Sequence, residues 1–365
     1  MQPRMSARWR WRVRSTLASA IASAHRHRLG ARLARPVAQP LIVGYHRVVE
    51  DFAAAARTDL PSMLIGRAMF ERHVDLIGRH FKFVSLDDIG ERIASGSPFT
   101  ERVAAITFDD GYRDVYEHAY PLLKRKGIPA AVFVVTDLVG RSSWQPHDRL
   151  YRLMAKAFAV WDRPQRRLLA LLGDLGLPAA QRLDAGATTD SPLRMVSTLM
   201  PELSRANVGV VVAGLEAAVG NGFGPAPRTL TWPMLLEMRR AGFVVGSHTE
   251  AHASLPTESA DTVADDLESS KRTLERHLGE PIAHFAYPGG QFTDAVVEAV
   301  GRAGYRFGYT ACPHGNARHP HLAIERLLLW EGSSVDADGR FSEDILRCQV
   351  HGLWPPIRKC RVRHV

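Results

Sequence analysis

Two adjacent carboxylates and a pair of histidines are the residues of this chain best suited to chemistry. Asp109 and Asp110 follow the apolar run 103–108, which predicts a buried strand, and Gly111 then permits a sharp turn. Neighbouring side chains on a strand point to opposite faces, so the two aspartates do different jobs unless the strand ends between them. A buried carboxylate is costly unless it is paired or bound to a metal. The doublet therefore predicts a site; the alternative is a solvated turn with an Asp capping a helix.

His248 and His252 directly follow another predicted strand, 243–247. In a helical turn their spacing would place both imidazoles on one face, where they could share an ion. In a barrel of parallel strands all strand ends lie at one rim, which would bring these histidines to the aspartates. Two histidines and one carboxylate leave coordination positions open, as a catalytic metal site requires. A His-x-x-x-His pair alone is more often structural, but beside the aspartates it favours a metal site.

The elements that must position these residues alternate between strand and helix, which predicts a parallel sheet covered by helices. Strands are predicted at 41–46, 81–86, 103–108, 129–135, 243–247, 282–287, 305–310 and 324–330. Helices are predicted between them at 70–80, 115–125, 231–242, 260–278 and 293–303, and another begins at 87–88.

Residues 140–227 break this alternation. Four helices are predicted there, at 147–160, 163–173, 191–200 and 205–220, with no clear strand until the end of the segment. We interpret the segment as a helical insertion that covers one side of the site. Its Trp144, His147 and Asp148 could contact substrate, although polar residues at such a position are usually only solvated.

The amino-acid composition limits the classes of protein to which this chain can belong. The 365 residues are 45% hydrophobic and 23% charged, which is ordinary for a soluble chain with a large core. Nine of the 47 basic residues are arginines within residues 1–35, which leaves 38 basic against 38 acidic residues elsewhere. A neutral body argues against a nucleic-acid partner. The three cysteines, Cys312, Cys348 and Cys360, form neither a disulfide framework nor a zinc pattern, so we expect reduced, structural thiols.

The chain divides into three predicted parts: a basic amphipathic segment 1–40, a body 41–335 interrupted by the insertion, and a basic tail 336–365, irregular from 347. The first segment has arginines, two tryptophans and apolar residues four apart (Val13, Leu17, Ile21), which suits a helix on an anionic membrane surface. A weak secretory signal, a transit peptide, a disordered arm and an ordinary packed helix are the alternatives. We expect a cytoplasmic protein that contacts the membrane through residues 1–35.

Two motifs carry a resemblance to a known family. Thr107-Phe-Asp-Asp-Gly111 and Ser247-His-Thr-Glu-Ala-His252 resemble the polysaccharide deacetylases, the NodB-like carbohydrate esterase family 4. The order of elements matches from 41 to 135 and again from 230 to 330. The run 285–290, Phe-Ala-Tyr-Pro-Gly-Gly, is similar to a variant branch that lacks the usual arginine in this loop. The resemblance implies a distorted (β/α) TIM-like barrel, a divalent metal, and hydrolysis of N-acetyl groups on amino sugars.

The resemblance also implies a role for each matching residue. Asp109 would be the general base, and Asp110, His248 and His252 the ligands of a divalent ion, zinc first, with cobalt, nickel or manganese as alternatives. The usual late histidine acid has no counterpart, and the variant branch uses the histidine of an early Tyr-His motif, here His46. Arg326 resembles a late arginine that replaces the missing one. Three further residues would contact substrate or the oxyanion: the backbone of Tyr112, Tyr287 and Pro288.

These observations predict a metal-dependent deacetylase acting on an N-acetylated polysaccharide, or on a lipid-linked or nucleotide-linked precursor, in envelope or exopolysaccharide assembly. Two alternatives stay open. One is a catalytically idle relative that binds glycan or scaffolds a polysaccharide machine, although an idle site has no physical need for intact Asp-Asp and His-His pairs. The other is an amidohydrolase for a small non-sugar amide, because function lies in the site and not in the fold.

Overall fold

The computed structural model describes residues 15–23, 39–177, 191–313 and 315–353. The strands of these residues are β1 (Leu41–Tyr45), β2 (Arg47–Val49), β3 (Leu64–Gly66), β4 (Lys82–Phe83), β5 (Val103–Phe108), β6 (Ala130–Val134), β7 (Val244–Ser247), β8 (His284–Ala286), β9 (Phe307–Thr310), β10 (Ile324–Glu325) and β11 (Leu327–Leu328).

The helices are α1 (residues 15–23), α2 (Phe52–Ala55), α3 (Arg67–Gly78), α4 (Leu86–Ala94), α5 (Tyr120–Lys126), α6 (Pro146–Val160), α7 (Pro164–Asp174), α8 (Pro192–Leu199), α9 (Arg205–Val219), α10 (Trp232–Arg240), α11 (Ala260–Leu278), α12 (Asp294–Arg302) and α13 (Glu343–Val350). One π-helical turn, Val115–Ala119, leads into α5. The helix predicted at 115–125 is therefore present with an irregular start, just before Pro121, which lacks the backbone N–H that a regular helix would use.

Eight parallel strands curve into a nearly closed barrel. They follow the order β10-β9-β8-β7-β6-β5-β1-β11, and the short β4 adds a further pairing beside β5. The two outer strands of this order, β10 and β11, are separated along the chain by Arg326 alone. The two edges of the sheet consequently meet at that residue. The single strand predicted at 324–330 is present as two short strands. The predicted distorted (β/α) barrel is confirmed.

The barrel strands are apolar on both faces because both faces are covered. Strands β5 and β6 are buried along their whole length, which explains their unbroken apolar sequences. Alternate residues of β1 enter different clusters. Ile42 packs with Phe133 and Phe307 inside the barrel, whereas Leu41 and Val43 pack with the surrounding helices.

The four predicted helices of the insertion are confirmed as α6 to α9. Three of them begin with proline, whose fixed φ and missing N–H suit the first position of a helix. Their apolar faces form a cluster separate from the barrel core, to which each helix contributes, for example through Leu150, Leu168, Met195 and Leu215. The insertion thus has a core of its own. Residues 178–190 lie outside the described residues.

The segment predicted as an irregular tail contains a helix. Helix α13 begins after Ser342, whose side chain accepts a hydrogen bond from the N–H of Ile345, and its Leu346 and Val350 join the main core. The prediction of irregular chain from 347 was wrong here because the apolar residues 345, 346 and 350 share one helical face, which is too short to show a clear helical period in the sequence. Residues 354–365 lie outside the described part of the chain.

The described part of the N-terminal segment is a helix that packs on the body. Ala18 and Ala22 of α1 are buried against Ile345 and Cys348, whereas Leu17 is 43% exposed. Within the described ranges, no helix combines the length and the apolar character needed to cross a membrane. Membrane contact through residues 1–35 stays a prediction, since most of that segment falls outside the description. Cys312 and Cys348 are buried, and Cys360 is not described.

A buried histidine links three parts of the barrel wall. The Nδ1 atom of His73, in α3, lies 3.2 Å from the Tyr45 hydroxyl oxygen, and its Nε2 atom lies 2.6 Å from the Ser334 hydroxyl oxygen. Burial lowers the pKa of His73 to about 3, because the charged ring would lose its hydration. The ring is therefore neutral in the folded protein over the neutral and mildly acidic range.

This depressed pKa predicts acid sensitivity. The unfolded chain binds a proton at His73 below about pH 6.5 while the folded chain does not, so the associated stability is present above pH 6.5 and is lost as the pH falls towards 3. Between pH 6.5 and pH 5 this amounts to about 2 kcal/mol of the free energy of unfolding. We expect His73→Gln to show a shallower pH dependence in urea denaturation than the wild type. The exposed His277→Gln is the control, and parallel curves for wild type and His73→Gln would contradict the assignment.

Candidate active site

The two aspartates occupy a sharp turn at the end of β5. Asp109 follows the last strand residue, and Asp110 and Gly111 both have left-handed φ values, 69° and 70°. At Gly111 a Cβ would lie 3.0 Å from a methyl carbon of Val134, so glycine fits both the conformation and the space. The reversal separates the neighbouring carboxylates. Asp109 faces Arg326, and Asp110 faces the histidines.

Asp109 is held by a buried bidentate ion pair. Arg326 donates from Nη1 to Oδ1 (2.7 Å) and from Nη2 to Oδ2 (2.8 Å), and Nη1 also donates to the Thr107 hydroxyl (3.0 Å). Burial raises the pKa of Asp109, but the charge of Arg326 outweighs burial, so this pKa lies below its usual range. Asp109 is consequently ionised at neutral pH, which is the form that can accept a proton. The sequence-predicted pairing of these two residues is present.

The other carboxylate faces imidazole nitrogens. Asp110 Oδ1 lies 3.2 Å from His252 Nε2 and 3.5 Å from His248 Nε2. Both Asp110 oxygens are buried, and neither has a hydrogen bond of good geometry. Burial raises the pKa of Asp110 and the neighbouring imidazoles lower it, with a net result well below the usual range. The structure thus brings both predicted histidines to Asp110, while the described residues whose ligand atoms all lie within 4.8 Å of one another are Asp110, His147 and His252.

The segment that carries the histidines is a loop and not a helical turn. Thr249 and His252 have φ values of 71° and 57°, so the prediction that a helical turn would align the two imidazoles was wrong. Polar side chains replace the helix: the Thr249 hydroxyl accepts the N–H of His252 (2.8 Å), and Asp266 of α11 accepts the N–H of Glu250 (2.8 Å). Short-range spacing could not show this, because Asp266 reaches the loop only in the folded protein.

Backbone strain is concentrated at this site. Three non-glycine residues of the described chain have positive φ, namely Asp110, Thr249 and His252, and all three belong to the two loops just described. Such conformations cost on the order of 1–3 kcal/mol each and persist where the surroundings enforce them. They place the carboxylate and the imidazoles opposite one another.

The residues present fit a divalent cation. In a tetrahedral site with bonds of about 2.1 Å, neighbouring ligand atoms lie about 3.4 Å apart, close to the separations measured around Asp110. His248 Nδ1 lies 2.8 Å from the carbonyl oxygen of Ala286. A carbonyl only accepts, so Nδ1 carries the proton and the Nε2 lone pair faces Asp110. Burial lowers the pKa of His248 to about 4, so the ring is neutral, as a ligand must be.

The insertion adds a third imidazole that sequence analysis did not assign to this cluster. The Nε2 atom of His147, in α6, lies 3.7 Å from Asp110 Oδ2. Asp110, His147 and His252 each have one ligand atom within 4.8 Å of those of the other two residues. Burial lowers the pKa of His147 to about 3. In the sequence His147 stands at the start of a predicted helix, 37 positions beyond Asp110, and no local pattern connects the two residues.

The residues predicted to contact substrate have varied positions. The Tyr112 hydroxyl donates to Asp148 (2.7 Å), so its side chain points into the insertion. The β-bridge from Tyr112 to Thr229 uses the N–H groups of Leu230 and Arg113 and leaves the Tyr112 N–H outside its hydrogen bonds. An oxyanion role for that N–H stays a prediction.

Tyr287 and Pro288 line the cleft as its wall. The Tyr287 hydroxyl donates to the Leu322 carbonyl (2.7 Å), and the Tyr287 N–H donates to the Tyr309 carbonyl (3.0 Å). Both donors of Tyr287 are therefore already engaged. Trp144 lines a separate cavity beside Met200 and Val208.

A cleft of about 390 Å³ exposes the site. Barrel and insertion both line it, and His46 is at its surface with Nε2 3.9 Å from Asp109 Oδ2. The side chains of the insertion that face it are Val196, Ser197, Met200 and Pro201 beside His147. The insertion therefore lines one side of this cleft.

The Asp109–Arg326 pair should behave as a unit. Removing either partner leaves a buried charge uncompensated, which costs about 3–5 kcal/mol. We expect Asp109→Asn and Arg326→Gln each to lower the free energy of unfolding strongly, and the double variant to lose clearly less than the two losses combined. Urea denaturation of the four proteins measures the coupling. Additive losses would show that the pair does not act as one element.

Comparison with known proteins agrees with this architecture. The polysaccharide deacetylase family model matches residues 96–160 and 184–308. YxkH of Bacillus subtilis, named a polysaccharide deacetylase, is 19% identical over 286 residues, 78% of this chain and 72% of that protein. The poly-β-1,6-N-acetyl-D-glucosamine N-deacetylase of Staphylococcus aureus is 28% identical over 118 residues, which span 30% of this chain and 40% of that enzyme.

Two solved structures share the fold. The Streptococcus pyogenes deacetylase PplD, in complex with acetate, aligns with a TM-score of 0.53 at 18% identity, over 86% of this chain and 98% of that one. IcaB from Ammonifex degensii aligns with a TM-score of 0.50 at 20% identity, over 81% and 93%. Since the family model covers more than half of the chain, on the barrel that carries the aspartate and histidine motifs, this protein belongs to the polysaccharide deacetylase family and is a carbohydrate N-deacetylase.

Proposed function

We propose that this enzyme removes N-acetyl groups from the amino sugars of a glycan by metal-dependent hydrolysis. One observation carries the proposal: adjacent aspartates face opposite partners across one cleft, Asp109 an arginine and Asp110 a cluster of imidazoles. An ionised carboxylate beside a cation site is the arrangement that amide hydrolysis by activated water needs.

Each residue of the cleft then has a role. Asp110, His248 and His252 would hold a divalent cation, which when bound polarises the acetamide carbonyl and a water molecule. Asp109, kept ionised by Arg326, accepts the proton of the attacking water. The Tyr112 N–H donates to the oxyanion of the tetrahedral intermediate. His46, on the same side as Asp109, protonates the amine as it leaves, so that acetate and a free amino sugar are released.

The cleft supports a sugar substrate. Trp330 is partly exposed at its edge and offers a flat apolar face to a pyranose ring, and Leu60 and Met63 extend that apolar wall. The Staphylococcus aureus relative acts, by its name, on poly-β-1,6-N-acetyl-D-glucosamine. We therefore place a polysaccharide of N-acetylated amino sugar, or its lipid-linked or nucleotide-linked precursor, in this cleft, with a role in envelope or exopolysaccharide assembly.

The two aspartates should separate in function. Asp110→Ala should abolish metal binding and acetate release together, whereas Asp109→Asn should keep the metal and lose about 10²–10⁴-fold in turnover, the usual contribution of a general base. Acetate release is measured on a panel of N-acetylated glycans and precursors, and bound metal by elemental analysis. Release that is insensitive to a chelator would contradict the metal role. Full activity of Asp109→Asn would remove Asp109 as the base.

His46 should affect only the departure of the amine. We expect His46→Ala to reduce turnover by about 10²-fold or more with unchanged metal content, because the ring is near Asp109 and not among the cation-facing nitrogens. His118→Ala, a histidine outside the cleft, is the control. A near-normal rate in His46→Ala would assign the acid to another group.

A further inference from the structure

Two imidazoles flank His252 on the metal-facing side of the cleft. The ring of His248 lies 5.0 Å from that of His252, centroid to centroid, and the ring of His147 lies 4.8 Å from it. The barrel supplies the first and the insertion the second. We infer that His147 is a further ligand of the cation held by Asp110 and His252, an inference that rests on the metal-dependent function proposed above.

The carboxylate of Asp110 supports this assignment because both of its oxygens face imidazoles. His248 and His252 face Oδ1, and His147 faces Oδ2 at 3.7 Å. Both oxygens are buried and neither has a hydrogen-bond partner among the described residues, which is costly unless a cation lies against them. A cation that also binds His147 lies against both oxygens and accounts for the burial of each.

Tyr112, in the turn after β5, and Asp148 of the insertion hold the ring of His147 through a chain of hydrogen bonds. Tyr112 donates its hydroxyl proton to Asp148 (2.7 Å), and the same hydroxyl oxygen lies 2.9 Å from His147 Nε2. In the absence of a cation, Nε2 carries the ring proton and donates it to Tyr112. Ligation requires the neutral ring with its proton on Nδ1, so that the Nε2 lone pair faces the cation and not the hydroxyl. The contact with Tyr112 therefore positions the ring before a cation binds, and ligation replaces that contact.

A ligand from the insertion has two consequences. Asp110 with three imidazoles makes four protein ligands, so positions remain open for water and substrate only on an ion that accepts five or six ligands. The cation would also join α6 to the barrel rim, coupling the position of the insertion to metal binding. The cleft between the two would then have its final shape only in the metal-loaded enzyme.

The first experiment counts ligands with Co²⁺, whose visible absorption weakens as its coordination number rises. The full chain is stripped of metal and titrated with Co²⁺ in competition with a chromophoric chelator. We expect His147→Ala to lower the affinity on the order of 100-fold or more, beyond the 10–100-fold typical of residues that only orient a ligand. Its visible bands should also intensify relative to the wild type, because one ligand has been lost.

The second experiment gives a signal that loss of folding cannot produce. A thiolate that binds Co²⁺ shows a near-ultraviolet charge-transfer band, so His147→Cys should display this band. Ser197→Cys, which puts a thiol on the same side of the cleft from α8, is the matched control and should not. The band in His147→Cys alone would establish residue 147 as a ligand position.

The outcomes separate this inference from the proposed function. The inference would be overturned if the wild-type enzyme binds Co²⁺, the spectrum of His147→Ala is unchanged, and His147→Cys shows no charge-transfer band. That result would leave the metal-dependent function in place. Wild-type enzyme that binds no divalent ion, and releases acetate without one, would overturn both.

Discussion

The buried pair of Asp109 and Arg326 is the interaction on which the rest of the site depends. Arg326 is the single residue between β10 and β11, so the guanidinium is located where the two edges of the barrel sheet meet. A buried guanidinium requires a carboxylate, and the bidentate geometry fixes Asp109 at the end of β5. The contact that closes the barrel therefore also orients Asp109, the proposed general base. Because the charge of Arg326 lowers the pKa of Asp109, the same contact also sets the protonation state.

The second aspartate is governed by the opposite condition. Asp110 is as buried as Asp109, but its oxygens face imidazoles where those of Asp109 face a guanidinium. Left-handed backbone at Asp110, Thr249 and His252 keeps these groups facing one another. Desolvating such a carboxylate is costly, and the proposed cation would offset that cost at the place where the backbone is strained. Adjacent residues thus receive distinct roles from their partners and not from their own chemistry.

The helical insertion contributes side chains to the site. It has its own apolar core, yet its first helix contributes His147 to the imidazole cluster and its third forms a wall of the cleft. Family members share the barrel, and specificity is expected to come from segments of this kind, because loops and insertions at the strand ends form the cleft. Helices α1 and α13, near the two ends of the chain, pack together, so the described part of each terminal segment contributes to the folded body.

The sequence by itself determined the elements and the motifs. Periodic apolar residues located most strands and the four insertion helices, and the Asp-Asp and His-x-x-x-His pairs at strand ends identified the site and the family, because these patterns are local. Helix α13 was not predicted because its apolar face is too short to show a clear helical period. Only the tertiary structure decided that one strand divides at Arg326, that the histidine segment is a loop held by Asp266, and that His147 reaches Asp110. Each of these depends on contacts between residues far apart in the chain, which form when strands and helices pack and which no short-range spacing encodes.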